Sequence, residues 1–246
     1  MQQRRKSSGR YSARSERIAG PESGGHRPST GASLLFVDKP VGFSSFQVVR
    51  LLQRKFQKVG HAGTLDPFAS GLLIILLDRA TKEFEKIQRM DKEYAGEIVL
   101  GFSTDTYDIT GKAAKPERPP TREIDLDGLK RIARQFVGEI EQVPPRFSAL
   151  KQAGRRLYQL SRQNKPVEIA PRRVVIKSFE IEEFDPPIIM FRALVGQGVY
   201  LRSLAHDLGQ RLGCGGTLLS LRRTGIGEHT VSQALRLGDI LEMVSC

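Results

Sequence analysis

Cysteines and long apolar runs are scarce in this sequence of 246 residues. Cys214 and Cys246 are the only cysteines, which excludes a disulfide framework and favours a reducing, cytoplasmic location. No stretch approaches the ~20 apolar residues of a membrane span, and no apolar region marks a secretory signal. We therefore predict a protein without membrane association.

The usual signatures of metal and cofactor enzymes are also absent. The four histidines show no metal-ligand spacing, and the sequence contains no Cys-x-x-Cys pair. No phosphate-binding loop or dinucleotide fingerprint occurs between a predicted strand and a helix. The glycine-rich residues 213–216 follow a predicted helix, which favours a helix C-cap over a phosphate cradle. We predict neither cofactor nor metal, so the chemistry must use ordinary side chains.

Positive charge is the strongest feature of the composition. The net charge is +12 and the pI about 10, and residues 1–32 contribute +5 of that charge. A polyanionic partner is therefore expected, although ribosomal proteins without an active site are equally basic. Residues 1–32 are rich in Arg, Ser and Gly and have almost no large apolar side chains, so we predict a disordered basic tail. Glu16 and Glu22 disfavour the acid-poor helix of a transit peptide.

The pattern of apolar residues over 33–246 alternates between the strand period and the helix period. It predicts strands at 34–37, 72–77, 94–100, 174–184 and 188–195, a helix capped by Ser44 or Ser45, and further helices around 80–87, 129–136, 201–212 and 237–244. The strands lack the regular spacing of parallel βαβ units. We therefore predict one α+β domain over 33–246, with a mostly antiparallel mixed sheet flanked by helices.

The segment GHAGTLDPFASG, residues 60–71, places one carboxylate in a turn between glycines. Its three glycines and Pro67 exclude the interior of a helix, and an apolar run follows directly. Asp66 is therefore expected on a rigid loop anchored to a buried strand, a common position for a catalytic group. The alternative is that Asp66 only caps the turn through an Asx hydrogen bond.

Six segments, in order along the chain, resemble the motifs of the TruB family of tRNA pseudouridine synthases over roughly residues 34–230. They are residues 37–45, 60–73, 91–111, 144–151, 198–204 and 208–223. The resemblance implies the pseudouridine synthase fold and isomerisation of uridine to pseudouridine in the T-loop of tRNA, at position 55. It also implies base flipping, the T-arm of tRNA as partner, and no cofactor.

Three residues match the catalytic positions of that family. The resemblance implies that Asp66 is the catalytic carboxylate, that Tyr94 stacks on the target base, and that Arg202 pairs with Asp66. A paired cation would keep Asp66 ionised and hold its rotamer. The alternatives from the residues alone are that Tyr94 is an aromatic side chain on a buried strand face and that Arg202 is an exposed helix arginine.

Five further residues match positions that contact the substrate. The resemblance implies that His61 fills the space left by the flipped base, which returns part of the lost stacking energy. Leu221 is expected to line the pocket, and Tyr200 to contact the substrate. Lys39 and Pro40 are expected to shape the pocket floor or to support its loops rather than to react.

An RNA-binding insertion is expected around residues 146–172, where the family grips its substrate. Lys151, Arg155 and Arg156 would contact phosphates and give binding a steep salt dependence. The alternative is that this segment is the solvated basic face of a helix.

Family members usually continue into a small C-terminal RNA-binding domain, often of the PUA type. This sequence stops at Cys246, soon after the last motif, so we predict no separate C-terminal domain. We also expect a monomer. Two other functions stay open: a tRNA-binding folding helper with vestigial catalysis, and a related synthase acting on another RNA. The presence of Asp66, Tyr94 and Arg202 together favours the enzyme.

Overall fold

The computed structural model describes residues 33–113, 124–148, 151–152, 155–156 and 169–243. The predicted basic tail lies outside these ranges. A single large sheet runs through the described part. Its strands are β1 (Ser33–Lys39), β2 (Val59–Ala62), β3 (Ser70–Leu77), β4 (Lys92–Leu100), β5 (Gly138–Gln142), β8 (Arg172–Asp185), β9 (Ile188–Val195), β10 (Gly216–Ile226), β11 (His229–Thr230) and β12 (Leu235–Arg236).

The strand order is β12-β1-β3-β10-β4-β9-β8-β5, with β2 on β3 and β11 on β10. Only the β1–β12 and β3–β10 pairs are parallel among the described strands. The predicted mixed, mostly antiparallel sheet is confirmed. Strand β3 lies between β1 and β10 in this sheet and is buried on both faces. This burial explains its unbroken apolar sequence.

Five α-helices flank the sheet in the described ranges, and the predicted α+β class is confirmed. They are α1 (Ser45–Leu52), α2 (Phe84–Arg89), α3 (Leu126–Arg134), α4 (Leu201–Arg211) and α5 (Leu237–Met243). Ser44 is the N-cap of α1, because its Oγ accepts a hydrogen bond from Gln47 N at 3.2 Å. Every helix in these ranges is too short or too polar to cross a bilayer.

The helix predicted around residues 80–87 differs from the structure. A 3₁₀ segment (Asp78–Glu83) comes first, and α2 begins only at Phe84. Phe84, at the start of α2, is 38% exposed and so is not part of a buried helix face. Phe136, predicted on the stripe of α3, lies beyond the helix end but is still packed in the core.

Three apolar clusters hold the elements together. The largest packs α3 and α4 against one face of β4, β8, β9 and β10. The second packs α1 and α5 against one face of β3, and the third packs the 3₁₀ segment and α2 against the other face. Burial on both faces fixes β3, so the loop that precedes it ends at a rigid strand.

The expected RNA-binding insertion is described only in part. Strands β6 (Lys151–Gln152) and β7 (Arg155–Arg156) form a two-stranded antiparallel pair. The alternative of a basic helix face is therefore wrong for these four residues. The side chains of Lys151, Arg155 and Arg156 lie outside the described part of the molecule, so their predicted contacts with phosphates stay predictions.

Candidate active site

A cavity of 360 Å³ opens beside the loop that joins β2 to β3. Asp66 borders it from that loop, Tyr94 from β4, and Arg202 from the first turn of α4. The volume falls in the range of ~300–1,000 Å³ in which small ligands bind. Three residues separated by long stretches of sequence therefore meet at one opening.

Arg202 and Asp66 form an ion pair at this cavity. Arg202 Nε lies 3.0 Å from Asp66 Oδ2, and Nη2 donates a hydrogen bond to Oδ1 at 3.4 Å. The arginine side chain is 5% exposed, which contradicts the alternative of an exposed helix arginine. Contact through two nitrogens fixes the orientation of the carboxylate as well as its charge.

A second carboxylate, Asp108, shares the same guanidinium. Its Oδ2 lies 3.4 Å from Arg202 Nη1, and both side chains are 5% exposed. The backbone oxygens of Thr106 and Phe147 accept hydrogen bonds from Arg202 at 3.1 and 3.0 Å. The guanidinium is therefore held on several sides before any substrate arrives.

Burial has the largest effect on Asp66 and raises the pKa of its carboxyl above the usual value. Arg202 and Lys39 lower that pKa, and Asp108 raises it. The Asp66 side chain is 36% exposed and lines the cavity. Arg202 therefore stabilises the ionised form against an environment that favours the protonated one.

Lys39 holds the turn that follows β1, and its predicted role at the pocket stays a prediction. It is fully buried, and its Nζ donates hydrogen bonds to the carbonyl oxygens of Pro40 at 2.9 Å and Phe43 at 2.6 Å. Burial lowers the pKa of Lys39 to about 8, while Asp66 raises it. Pro40 itself is exposed and lines a shallow depression next to Arg222 rather than the cavity at Asp66.

Arg223 joins the loop that carries Asp66 to the sheet. It is 1% exposed, and it donates hydrogen bonds to the carbonyl oxygens of Leu72 at 2.7 Å and Gly63 at 3.1 Å. Gly71 pairs with Arg223 across the parallel β3–β10 contact. A Cβ at Gly71, whose φ is +101°, would lie 2.3 Å from the Arg223 carbonyl oxygen, so only glycine fits there.

Tyr94, Tyr200 and Leu221 all border the cavity, and His61 does not. Tyr94 is 9% exposed and belongs to the main core while it faces the opening. Tyr200 is the N-cap of α4, and its backbone is fixed by two hydrogen bonds with the Gln142 side chain. His61 lies on β2, two residues before the stretch of the loop that does border the cavity.

The sequence assigned no role to Asp108 or Arg223, and it offered Ser45 only as an alternative N-cap of α1. Asp108 lies inside one of the family-like segments, between Thr106 and Thr110, and that position was the signal available. The roles of Arg223 and Ser45 depend on hydrogen bonds to residues 151 to 160 and 20 positions away. In the described ranges, no three His, Cys, Asp or Glu side chains cluster closely enough to hold a metal ion.

Two models of known protein families match consecutive parts of the chain. Residues 50–201 match the N-terminal domain of TruB family pseudouridylate synthase, and residues 202–246 match the tRNA pseudouridylate synthase B C-terminal domain. The tRNA pseudouridine synthase B of Chloroherpeton thalassium is 42% identical over 217 residues, which cover 85% of this chain and 89% of that protein. The Aquifex aeolicus protein of the same name is 42% identical over 211 residues, with coverages of 84% and 72%.

Among solved structures, the chain is similar to one in a Cbf5-Nop10-Gar1 complex, with a TM-score of 0.64 and 28% identity. It is also similar to one in an H/ACA RNP bound to a substrate RNA that contains 2'-deoxyuridine, with a TM-score of 0.61 and 25% identity. In both cases 85% of this chain is covered, and it spans about half the length of the solved chain, 53% and 52%.

Proposed function

The chain belongs to the TruB family of pseudouridylate synthases, and from that premise we propose that it acts on position 55 in the T-loop of tRNA, with Asp66 as its catalytic carboxylate. Its curated relatives are named tRNA pseudouridine synthase B, and the chain is accordingly an isomerase that converts uridine to pseudouridine in tRNA. The target position and the roles of individual residues are the proposed part.

The observation that carries the assignment is the Arg202–Asp66 ion pair at the edge of the cavity. A carboxylate in a protein of net charge +12 repels the phosphates of the RNA that this charge attracts. Two cations, Arg202 and Lys39, nevertheless favour its ionised form inside a buried site. A chemical role for Asp66 explains this arrangement, whereas simple RNA binding does not.

The reaction breaks the bond between ribose C1′ and uracil N1, turns the base, and joins C1′ to C5. The proton leaves C5, and N1 ends protonated, so the atoms balance without an added reactant. Asp66 can act by addition to the sugar or the base, or by removal of a sugar proton, and each route requires the ionised carboxylate. Arg202 supports that state in all of them.

Tyr94 and the cavity walls keep the detached uracil in place. Tyr94 lines the cavity together with the loop of Asp66, and we expect its ring to offer a surface on which the flipped base stacks. Leu221 supplies an apolar patch beside it. Exclusion of water at this stage protects the separated sugar and base from hydrolysis.

The rest of the tRNA is expected to bind outside the cavity. We propose that His61 occupies the gap in the T-loop stack, and that Lys151, Arg155 and Arg156 contact the backbone of the T-arm. A monomer in the cytoplasm is the state in which we expect the enzyme to work. These proposals rest on the family assignment and on the basic charge of the chain.

The test is release of tritium from tRNA transcripts labelled at C5 of uridine, followed by mapping of the modified position. Asp66→Asn should abolish release and leave the Kd for tRNA within several-fold of wild type. Asp127→Asn, at an exposed position on α3, is the matched control and should release tritium at the wild-type rate.

Modification of a uridine outside the T-loop would overturn the target position. Release by Asp66→Asn at a tenth or more of the wild-type rate would overturn the role of Asp66. Tight tRNA binding by a wild-type protein that releases no tritium would favour the folding helper.

A further inference from the structure

Tyr107 adopts a backbone conformation that tyrosines rarely adopt. Its φ is +63°, and Asp78 is the only other described residue besides glycine with a positive φ. Aspartate tolerates the left-handed region through local hydrogen bonds, whereas a tyrosine there is strained and needs compensation from its surroundings. Contacts of the Tyr107 ring and of the neighbouring residues are expected to offset this backbone strain.

The ring of Tyr107 stacks on the ring of His206. The centroids are 3.9 Å apart, and the planes are inclined by 12°. His206 lies on α4 one turn after Arg202, so the two side chains occupy the same side of the helix. The stack therefore connects the turn around Tyr107 to the helix that carries the arginine of the active site.

The two neighbours of Tyr107 both hold that arginine. The carbonyl oxygen of Thr106 accepts a hydrogen bond from Arg202 Nη1 at 3.1 Å, and Asp108 Oδ2 lies 3.4 Å from the same nitrogen. Thr106 and Asp108 lie on either side of the left-handed residue Tyr107. The turn at Tyr107 thus presents a backbone carbonyl and a carboxylate to the same nitrogen.

We propose that Tyr107 is a positioning residue whose stack on His206 keeps this turn on Arg202 and thereby sets the geometry of the Arg202–Asp66 pair. The backbone of Tyr107 supports this role, because its carbonyl oxygen accepts a hydrogen bond from Leu218 N at 3.0 Å. That bond anchors the turn to β10 and the stack anchors it to α4. The inference rests on the proposed function of Asp66.

Two variants separate the ring from the strain. Tyr107→Asn removes the ring but tolerates a positive φ, and Tyr107→Phe keeps the ring and removes only the hydroxyl. We expect Tyr107→Asn to lower the single-turnover rate at saturating tRNA by about tenfold, with Kd within threefold of wild type. Tyr107→Phe should stay within twofold for both quantities. Ile109→Asn, at an exposed position of the same turn, is the matched control and should also stay within twofold.

The partner of the stack gives an independent test. His206→Leu should lower the rate as Tyr107→Asn does, and the double variant should be no worse than either single variant, because both remove one interaction. Rate losses that multiply in the double variant would overturn the proposal.

A readout without turnover keeps this inference distinct from the proposed function. Loss of the stack should loosen Arg202 and raise the pKa of Asp66, which NMR of the labelled carboxyl carbon measures in the free protein. An unchanged pKa of Asp66 in Tyr107→Asn, or a weakened Kd with an unchanged saturated rate, would overturn the positioning role. If the wild-type protein shows no turnover but Tyr107→Asn still raises the pKa of Asp66, the assigned reaction is overturned and the positioning role is not.

Discussion

Ser45 and Leu65 are joined by two hydrogen bonds that use one hydroxyl group. The Oγ atom of Ser45 accepts from Leu65 N at 2.8 Å and donates to Leu65 O at 3.2 Å. Gly42 N donates to Pro67 O at 2.7 Å, on the other side of Asp66. The residues before and after Asp66 are thus both fixed to the segment that enters α1.

Removal of the Ser45 hydroxyl should therefore slow the chemistry without weakening RNA binding. Ser45→Ala leaves Leu65 N buried without its acceptor, at a cost of about 1–3 kcal/mol, and frees one side of the catalytic loop. We expect the single-turnover rate at saturating tRNA to fall about tenfold and Kd to change less than threefold.

The neighbouring serine is the control for this change. Ser44→Ala removes the N-cap of α1, which costs about 1 kcal/mol, but leaves the two bonds to Leu65 intact. It should lower the melting temperature and keep the saturated rate. An equal loss of rate in both variants would mean that the effect is one of general stability.

Arg202→Gln should lower the rate and shift its pH dependence. Arg202 lowers the pKa of Asp66, so its removal raises that pKa further, and the ionised carboxylate then requires a higher pH. The acid limb of the single-turnover profile should move to higher pH, and the plateau should fall by about 100-fold. Arg211→Gln, at the exposed end of the same helix, should leave the profile in place. An unshifted acid limb would mean that Arg202 does not control the ionisation of Asp66.

Asp207→Asn should stabilise the protein near neutral pH. Burial raises the pKa of Asp207 to about 6, so in the folded state its carboxylate is disfavoured, and stability falls as the pH rises from about 4 through 6. Asparagine removes this cost above pH 6 and changes little below pH 4. The melting temperature at pH 7.5 should rise by a few degrees, and the gain should vanish near pH 4. A gain of the same size at both pH values would point to a cause other than this ionisation.

Replacement of Arg155 and Arg156 by alanine should weaken tRNA binding and flatten its dependence on salt. Each lost phosphate contact should reduce the slope of log K against log salt by about one unit. Chemistry at saturating tRNA should change much less. Arg131→Ala with Arg134→Ala, on the exposed side of α3, removes the same charge elsewhere. Equal slopes for the two double variants would place Arg155 and Arg156 outside the interface.

The sequence predicted the parts of this molecule that local patterns determine. The apolar run of β3, the apolar spacing of α4 and the serine cap of α1 all depend on neighbours within a few positions, and the structure contains all three. Asp66 and Arg202 were identified through the family-like segments. The hydrogen bonds of Arg223 and the shared carboxylate of Asp108 were missed, because they join residues about 100 to 160 positions apart and no local period records them.

The position of Arg202 has a consequence for how the enzyme is made. It is 136 residues away from Asp66, and the boundary between the two matched family models falls directly before it. A chain growing on the ribosome therefore carries its carboxylate long before the arginine that helps to ionise it. Until α4 emerges and packs on β10, the nascent protein has the acid but not its partner. A fragment that ends at that boundary should have no turnover, because it lacks Arg202 and also strand β10, which joins β3 to β4 in the sheet.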